Sequence, residues 1–584
     1  MTNGAGKPKP AFFIAVAVVV AGLIALAVMR CKGKSESTGD GSGTAATTKT
    51  PDGSGGKPTT GGLAEAQDGK PIPGLTADKY DYEPSTTLPP VPGTSGYTAL
   101  GKPRVVKFAV NVWAGWAPIV WANQGAKAGK IWKDAKGGEF QVELQLADDP
   151  VAMGNLVANG THIGWATVDM LPLIIERLKK DPRTMPRVFQ QVDWSNGGDG
   201  IVSRNDIKEI GDLRNKTVVL AQNSPSHYFL LMMLQNGGIN PSEVKMKFTK
   251  DAFQAAQAYN QNKDISAAVS WAPDIYTLTD NPKSGNKLLV TTGTANKLIA
   301  DVWFARADFA RDNPEIIEGL VRGIFDGADE LKGDVNKGKV GEMLDKFYNL
   351  PGGTGVKMLG DAHWTNYAEN RDFFLVSNNP TNFQRTYESA VSIYKKLRVV
   401  DQDVEFDKIM DFSVIKKLGA EAKYAEVKNT YQFNFTPKNV KDINVESTIV
   451  TKTVTINFFP NSFDIFKKVP ASAGGGDVYY DGKVDYTVEE IAKLAGQFGA
   501  ARIVISGHTD SSMKGTADEQ LVKDLSENRA RSVKDGLLKK FPKLDPDQVT
   551  TVGYGWSKPA DPADADNHSK NRRVEIRVVP AEAQ

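Results

Sequence analysis

This chain of 584 residues has almost no cysteine and almost no net charge. Its one thiol, Cys31, rules out an intrachain disulfide, and a zinc site built on several thiolates is excluded with it. A formal net charge of +2, with 24% charged residues, leaves no strong basic field to attract nucleic acid. Charge and strong polarity are also missing from one stretch near the start, Ala11–Met29. As a helix it would be about 28 Å long, close to a hydrocarbon core of roughly 30 Å, and it reads as a transmembrane helix. Lys7 and Lys9 before it are balanced by Arg30, Lys32 and Lys34 after it, so flanking charge does not fix its orientation. A cleaved signal peptide fits less well, because Val28-Met29-Arg30 offers no small-x-small cleavage site. Met29 and Arg30 also suit a lipoprotein signal poorly, which leaves Cys31 as an exposed juxtamembrane thiol.

Large apolar residues are few between residues 30 and 100, where Gly, Ser, Thr, Pro and Lys dominate. Such a segment cannot offset its own ordering entropy and reads as a flexible linker. Its Gly/Ser-type part would have an r.m.s. span of about 40 Å. Beyond it the chain is too long for one core. Nine of the ten tryptophans fall between Trp113 and Trp364, which marks one large aromatic-rich domain over residues 101–430. Val105–Val110, Phe140–Leu146 and Thr217–Ala221 read as strands, and Tyr228–Gln235 and Phe253–Asn262 as helices. Strand alternating with helix predicts an α/β fold with mainly parallel sheets. A connector at 431–450 then leads to a last domain at 451–580.

Four strand-to-helix junctions share one chemistry. They are Trp113-Ala114-Gly115-Trp116-Ala117-Pro118, Thr167-Val168-Asp169, Asn223-Ser224-Pro225-Ser226 and Trp271-Ala272-Pro273-Asp274. Each places a capping residue or a proline where a first helical turn would begin, with Asp169 and Ser224 as candidate N-caps. Helix starts present unpaired N–H groups, and in open α/β sheets they gather at the carboxyl ends of strands, where ligands bind. Taken singly each is an ordinary cap. Together, with Trp at two of them, they outline a ligand site. No nucleophile, base and orienting group stand together, so no catalytic residue, metal site or cofactor is assigned.

In the last domain Ile503-Val504-Ile505 reads as a buried strand that ends in Gly507-His508-Thr509-Asp510. Glu519–Leu538 reads as an amphipathic helix with Leu521, Leu525, Ala530, Val533 and Leu537 as its buried stripe and Arg529 on its flank. Strands at Val549–Val552 and Val574–Val579 complete an α+β sandwich. Asp510 and Arg529 form a charge pair suited to a small zwitterion.

Gly507-His508-Thr509-Asp510, then Leu525-Ser526-Glu527-Asn528-Arg529-Ala530, then Asn571-Arg572-Arg573-Val574-Glu575-Ile576 resembles the OmpA-like peptidoglycan-binding domain. The resemblance implies that Asp510 accepts from the ammonium, and Arg529 grips the carboxylate, of the diamino acid in a peptidoglycan stem peptide. Arg572 and Arg573 match the pattern as mainly structural residues. Val522 stands where that family often has Asn.

Residues 103–425 resemble the NitT/TauT family of periplasmic substrate-binding proteins. The matching elements are Gly160-Thr161-His162-Ile163-Gly164-Trp165, Asn196-Gly197-Gly198-Asp199-Gly200, Gln222-Asn223-Ser224-Pro225-Ser226-His227 and Ala267-Ala268-Val269-Ser270-Trp271. That resemblance implies a two-lobed periplasmic-binding-protein fold, with lobes of about 101–200 plus 298–430 and of 201–297. Asn196–Val202 would then be a crossing between lobes. Ligand contacts would come from Trp113, Gly115, Trp116, Asp169, Asn223, Ser224, Ser226 and Trp271. No arginine lies in these turns, and Asp169 would repel an anion and suits an amine.

The combined expectation is a single-pass inner-membrane protein with residues 1–10 in the cytoplasm and its bulk in the periplasm. It would capture a small anionic or zwitterionic solute for an ABC-type permease and hold peptidoglycan. A structural or sensory envelope protein is the alternative. A thiamine-pyrimidine-synthase-like enzyme is a further one, with His162 and His227 as its candidate histidines.

Overall fold

The computed structural model describes residues 75–401, 404–459, 462–471 and 476–581. The expected membrane helix Ala11–Met29, Cys31 and most of the expected linker lie outside the described residues. Among the described residues no helix is long and apolar enough to cross a membrane.

The chain enters as β1 (Tyr82–Glu83) and then lays down β2 (Val105–Val110), β3 (Trp132–Lys133), β4 (Glu139–Leu146), β5 (Ile163–Thr167) and β6 (Pro186–Ser195). It crosses at residues 196–198 into β7 (Asp199–Arg204), β8 (Thr217–Ala221), β9 (Lys245–Thr249), β10 (Ala267–Trp271) and β11 (Asn286–Thr291). Residues 292–299 recross to β12 (Ala300–Arg306) and β13 (Ala362–Trp364). Two lobes result, with strand orders β13-β6-β12-β5-β2-β4-β3 and β1-β9-β8-β10-β7-β11.

The sheets are mixed, not mainly parallel. Each lobe has a parallel core of three strands, β4-β2-β5 in one and β9-β8-β10 in the other. The strands that arrive from the opposite lobe, β7 and β12, run antiparallel to that core. A short crossing delivers the strand reversed, whereas parallel neighbours need a long helical crossover. Alternation along β2 turns Val106, Phe108 and Val110 into the interior, where Phe108 meets Trp303 edge-on at 5.1 Å and Trp116 lies 4.5 Å from Trp303. The helix Pro225–Asn236 is apolar on every side and is buried accordingly.

Residues 75–100 correct the expected linker. They are bonded across both lobes as a strap. Thr76 donates its N–H (3.0 Å) and hydroxyl (2.6 Å) to the Asp274 carboxylate, and β1 pairs with β9 as an edge strand. Thr86 N–H donates to Gln222 Oε1 at 2.9 Å. The strap then passes to the first lobe, where Pro89 O accepts from Arg177 Nε at 2.7 Å and Ser95 O from Arg306 Nη2 at 2.6 Å. Thr98 O accepts from His162 Nε2 at 2.7 Å. Composition hides this segment because its apolar anchors, among them Leu75, Leu88, Val91 and Tyr97, are scattered and backbone groups supply many of the other contacts.

The last domain begins at β14 (Val450–Val454) and adds β15 (Lys468–Pro470), β16 (Asp477–Tyr479), β17 (Ala501–Gly507), β18 (Val549–Gly553) and β19 (Val574–Pro580). Its main sheet runs β14-β19-β17-β18, with β17 and β18 parallel and joined through the helix Glu519–Lys540. The buried stripe of that helix is Val522, Ser526, Ala530, Val533 and Leu537, and Leu521 is 67% exposed. The phase is set by a close approach. A Cβ on Gly507 would lie 2.0 Å from Ser526 O, and one on Gly553 2.4 Å from Lys523 O, so small residues must face the sheet here.

This domain is docked on the crossing between lobes. Ala500 N–H donates to Asn296 Oδ1 at 2.9 Å, and Lys297 N–H to Gln497 O at 3.1 Å. Tyr431, in the expected connector, is buried and donates its hydroxyl to Asn196 Oδ1 at 2.9 Å, which ties it to the other crossing.

Arg177 is buried and donates to Pro89 O, Pro150 O, Val151 O and Asn155 Oδ1. Arg177→Ala strands these acceptors and frees the strap, so it should cost about 3 kcal/mol in a denaturant titration of the whole chain.

Candidate functional site

The lobes meet over a cavity of about 20 Å³, room for a single water-sized group. Trp113, Trp165, Thr167 and Asp301 face it from the first lobe, and Asp199, Pro225 and Trp271 from the second. Strand register builds one wall. Asp301 on β12 stands opposite Asp193 on β6 and opposite Thr167 on β5, so three polar side chains share one row across the sheet.

Of the residues singled out by sequence, Trp113 and Trp271 line the cavity. Trp113 Nε1 donates to Asp193 Oδ2 at 3.3 Å. Gly115 lets that carboxylate approach, because a Cβ there would sit 1.7 Å from Asp193 Oδ2. Trp116 is instead a core residue whose Nε1 donates to Asn111 Oδ1 at 2.7 Å. Asn223 is held by the strap through Thr86 O at 3.1 Å. Ser224 sits at a helix start but donates its hydroxyl back to Ala221 O at 2.8 Å, so it does not cap. Ser226 is fully buried with no hydrogen-bond partner. Asp169 lies inside a helical turn and does not cap it either, and the Thr167 hydroxyl and its own N–H are the donors that act on its carboxyl.

Asp169 is one of five. Asp193, Asp199, Asp301 and Asp361 are buried with it; Asp199 acts electrostatically on each of the other four, and Asp169 and Asp193 act on Asp301. Burial pushes Asp169 and Asp193 up to about 7, Asp199 up to about 6 and Asp361 up to about 7. Asp301 is pushed well above the ordinary carboxyl range by burial and then by Asp193, with which it shares a hydrogen bond. The partners that the five do have are neutral. Ser195 Oγ donates to Asp199 Oδ2 at 2.6 Å, and the Tyr276 hydroxyl donates to Asp361 Oδ1. Trp271 Nε1 has no partner. Sequence reasoning missed four of these carboxylates. The available signal was an Asp inside an apolar strand, as in Val192-Asp193-Trp194 and Ala300-Asp301-Val302.

His162 and His227 are held by backbone groups. His162 Nδ1 accepts from Lys107 N–H at 2.9 Å while Nε2 donates to Thr98 O. His227 Nδ1 accepts from Asn223 N–H at 3.2 Å. Burial holds both rings down at about 4, and neither lines the cavity.

In the last domain Asp510 Oδ1 accepts from the Ser512 N–H at 2.9 Å and from the Ser512 hydroxyl. Arg572 Nε stands 3.3 Å from Asp510 Oδ2, and His568 Nδ1 stands 3.5 Å from Oδ1. Burial raises this carboxyl, but the Ser512 donors and the Arg572 charge outweigh it and hold it below its ordinary value. Arg529 makes its bond elsewhere, from Nε to Ser462 O at 3.3 Å, with its guanidinium 4.7 Å over the Phe458 ring. It still feels the Asp510 charge. Of the two arginines read as structural, Arg573 is buried and paired with Glu575 at 2.6 Å. Arg572 is exposed and belongs to the Asp510 site.

Residues 142–334 match the NMT1/THI5-like family and residues 482–573 match the OmpA family. The chain is 30% identical over 236 residues to the taurine-binding periplasmic protein of Escherichia coli (strain K12), a match over 40% of this chain and 64% of that protein, just under two thirds of its length. It is 31% identical over 146 residues to the peptidoglycan-associated lipoprotein of Buchnera aphidicola subsp. Baizongia pistaciae (strain Bp), which spans 24% of this chain and 80% of that one. Among solved structures, the periplasmic aliphatic sulphonate binding protein of Escherichia coli aligns with a TM-score of 0.41 at 15% identity, over 52% of this chain and 97% of that one. The chain therefore joins an NMT1/THI5-like domain to a C-terminal OmpA domain, and through the latter it belongs to the OmpA family.

The buried carboxyls fix a sign. Their pKa values are raised on folding, so between about pH 4 and pH 7 the folded chain holds protons that the unfolded chain releases. Stability contributed by these groups is full below their unfolded values and is lost as pH rises through the folded ones. A single carboxyl moved that far corresponds to roughly 4 kcal/mol. Asp301→Asn should therefore raise Tm at about pH 8, leave it nearly unchanged at about pH 4, and flatten the pH profile relative to the parent.

Proposed function

We propose that this chain is a cell-envelope solute-binding protein that encloses a small solute between its lobes and holds peptidoglycan through its C-terminal domain. The observation that carries the first half is the seam cavity, walled from both lobes and edged by the partnerless Trp271 indole. A site split in this way opens and closes as the lobes turn about the crossings at 196–198 and 292–299. The likeness to a taurine-binding periplasmic protein supports capture for an ABC-type permease. Ala11–Met29 would anchor the chain in the inner membrane, with the described domains in the periplasm. The likeness to binding proteins and the structural use of His162 and His227 favour binding over catalysis.

For the wall, Asp510 receives the ammonium of the stem-peptide diamino acid, and Arg529 with Arg572 receives its carboxylate. One observation favours a sensory role alongside uptake. The C-terminal domain is bonded to Asn296 in a lobe crossing through Ala500, just before the strand whose far end leads to Asp510, so a change of lobe angle would act on that domain.

Retention on purified peptidoglycan tests the wall half. Asp510→Ala and Arg529→Ala should each weaken it about tenfold or more, the loss expected for one charge-assisted contact, with Tm unchanged. Retention equal to the parent's would refute the assignment. A thermal-shift screen of the whole chain against small sulfonates, anions, amines and pyrimidines tests the cleft half, and stabilisation by none of them would sink it.

A further inference from the structure

We propose that the seam site selects a solute by its ammonium group, taking a small primary amine that also carries a hydrogen-bond acceptor, and rejects the same solute without the amine. This rests on the solute-binding reading and names the chemistry of that site. Asp199 and Asp301 line the cavity from opposite lobes, Asp199 also acts on the buried Asp169, Asp193 and Asp361, and among the described residues none of the five pairs with Lys, Arg or His. A plain anion entering here would meet the carboxyls of Asp199 and Asp301, one from each lobe, in a medium that screens weakly. An ammonium supplies three donors and the missing positive charge. The indoles of Trp113 and Trp165 at the same cavity suit a cation as well.

A second, independent observation points to a ligand and shapes it. Trp271 is 6% exposed, its indole edges the cavity, and its Nε1–H has no acceptor. Surrounded by carboxyls that it does not reach, this donor calls for an acceptor brought in by the solute. The carboxyls of Asp199 and Asp301, which line the same cavity, call for donors. An amine bearing an acceptor oxygen answers both. A bound divalent metal would answer only the charge, and among the described residues no three acidic or histidine groups converge as a metal site requires.

The test is calorimetric titration of the full chain, at about pH 8, with two matched pairs: 2-aminoethanesulfonate against ethanesulfonate, and ethanolamine against ethylene glycol. Each amine should bind at least about tenfold more tightly than its partner, the discrimination a lost charged contact produces. Asp301→Asn should weaken amine binding about tenfold or more, and an undiminished Tm would show that the variant is folded. Amine affinity should also fall as pH is lowered to about 5.5, because Asp169, Asp193, Asp199 and Asp361 take up protons there. The other groups facing them, the Tyr276, Tyr228, Tyr394 and Tyr431 hydroxyls, are pushed up by burial and stay neutral throughout this range. Ethanesulfonate binding as tightly as its amine would overturn the ammonium inference and leave the solute-binding reading intact. Parent-like amine binding by Asp301→Asn would also overturn it. Heat from none of the four compounds would overturn both.

Discussion

Taking one carboxylate out of water costs several kcal/mol unless a positive charge accompanies it, and this chain does so five times along a single seam. The resolution within the protein is protonation, since burial moves these groups up until they can be neutral near neutral pH. That choice makes the closed lobes conditional. Protons can neutralise the seam, and so can a cation placed among the carboxyls. On the solute-binding reading, a closed cleft that needs one or the other has its resting state tuned by its ligand's charge.

The rest of the architecture keeps that seam in register. Two crossings carry the chain between lobes, and the strap over residues 75–100 makes a third connection on the outside. The strap takes hold of Asp274, another buried carboxyl pushed up to about 7, through two donors of Thr76, an N–H shared between both oxygens and the hydroxyl. The C-terminal domain then rests on Asn296 and Lys297, and Tyr431 reaches Asn196. Lobe rotation must therefore bend segments that are already bonded to other parts of the molecule. A free two-lobed domain on a loose tether would carry no such load.

Some of this was legible in the sequence and some was not, for physical reasons. Strands with β-branched alternation, such as Val105–Val110 and Thr217–Ala221, announce themselves because one short segment contains the whole pattern. Trp113 and Trp271 were readable as site residues because a bulky aromatic beside a helix start is unusual locally. The carboxylate cluster was not, because Asp169, Asp193, Asp199, Asp301 and Asp361 come from separate strands and turns, and only the sheet order brings them together. The strap escaped notice because its apolar anchors are scattered through a polar, Pro-rich segment and backbone groups supply many of its other contacts. In the helix Glu519–Lys540, Ala530, Val533 and Leu537 are buried as expected, but Leu521 and Leu525 were read in the places that Val522 and Ser526 take. Leucine was weighed above Val522 and Ser526, while close packing against Gly507 and Gly553 demanded the smaller pair.

The two candidate sites use the same side chain in opposite electrostatic states, and that contrast bears on what each can hold. Asp510 is kept ionised by Ser512 and by the exposed Arg572, so it can exchange a protein cation for a ligand ammonium at little net cost in charge. Arg572 and Arg529 are then available for the carboxylate of the same zwitterion. The seam carboxylates have no such local cation to release. Any ammonium that enters supplies charge the protein lacks, and the gain is larger because the site is dry. Exchange suits a contact to be made and broken along a polymer, whereas supply of missing charge suits enclosure of a small solute. On the proposed reading, labour is divided between a wall contact at Asp510 and a solute site at the seam, with the lobe crossings joining the two domains.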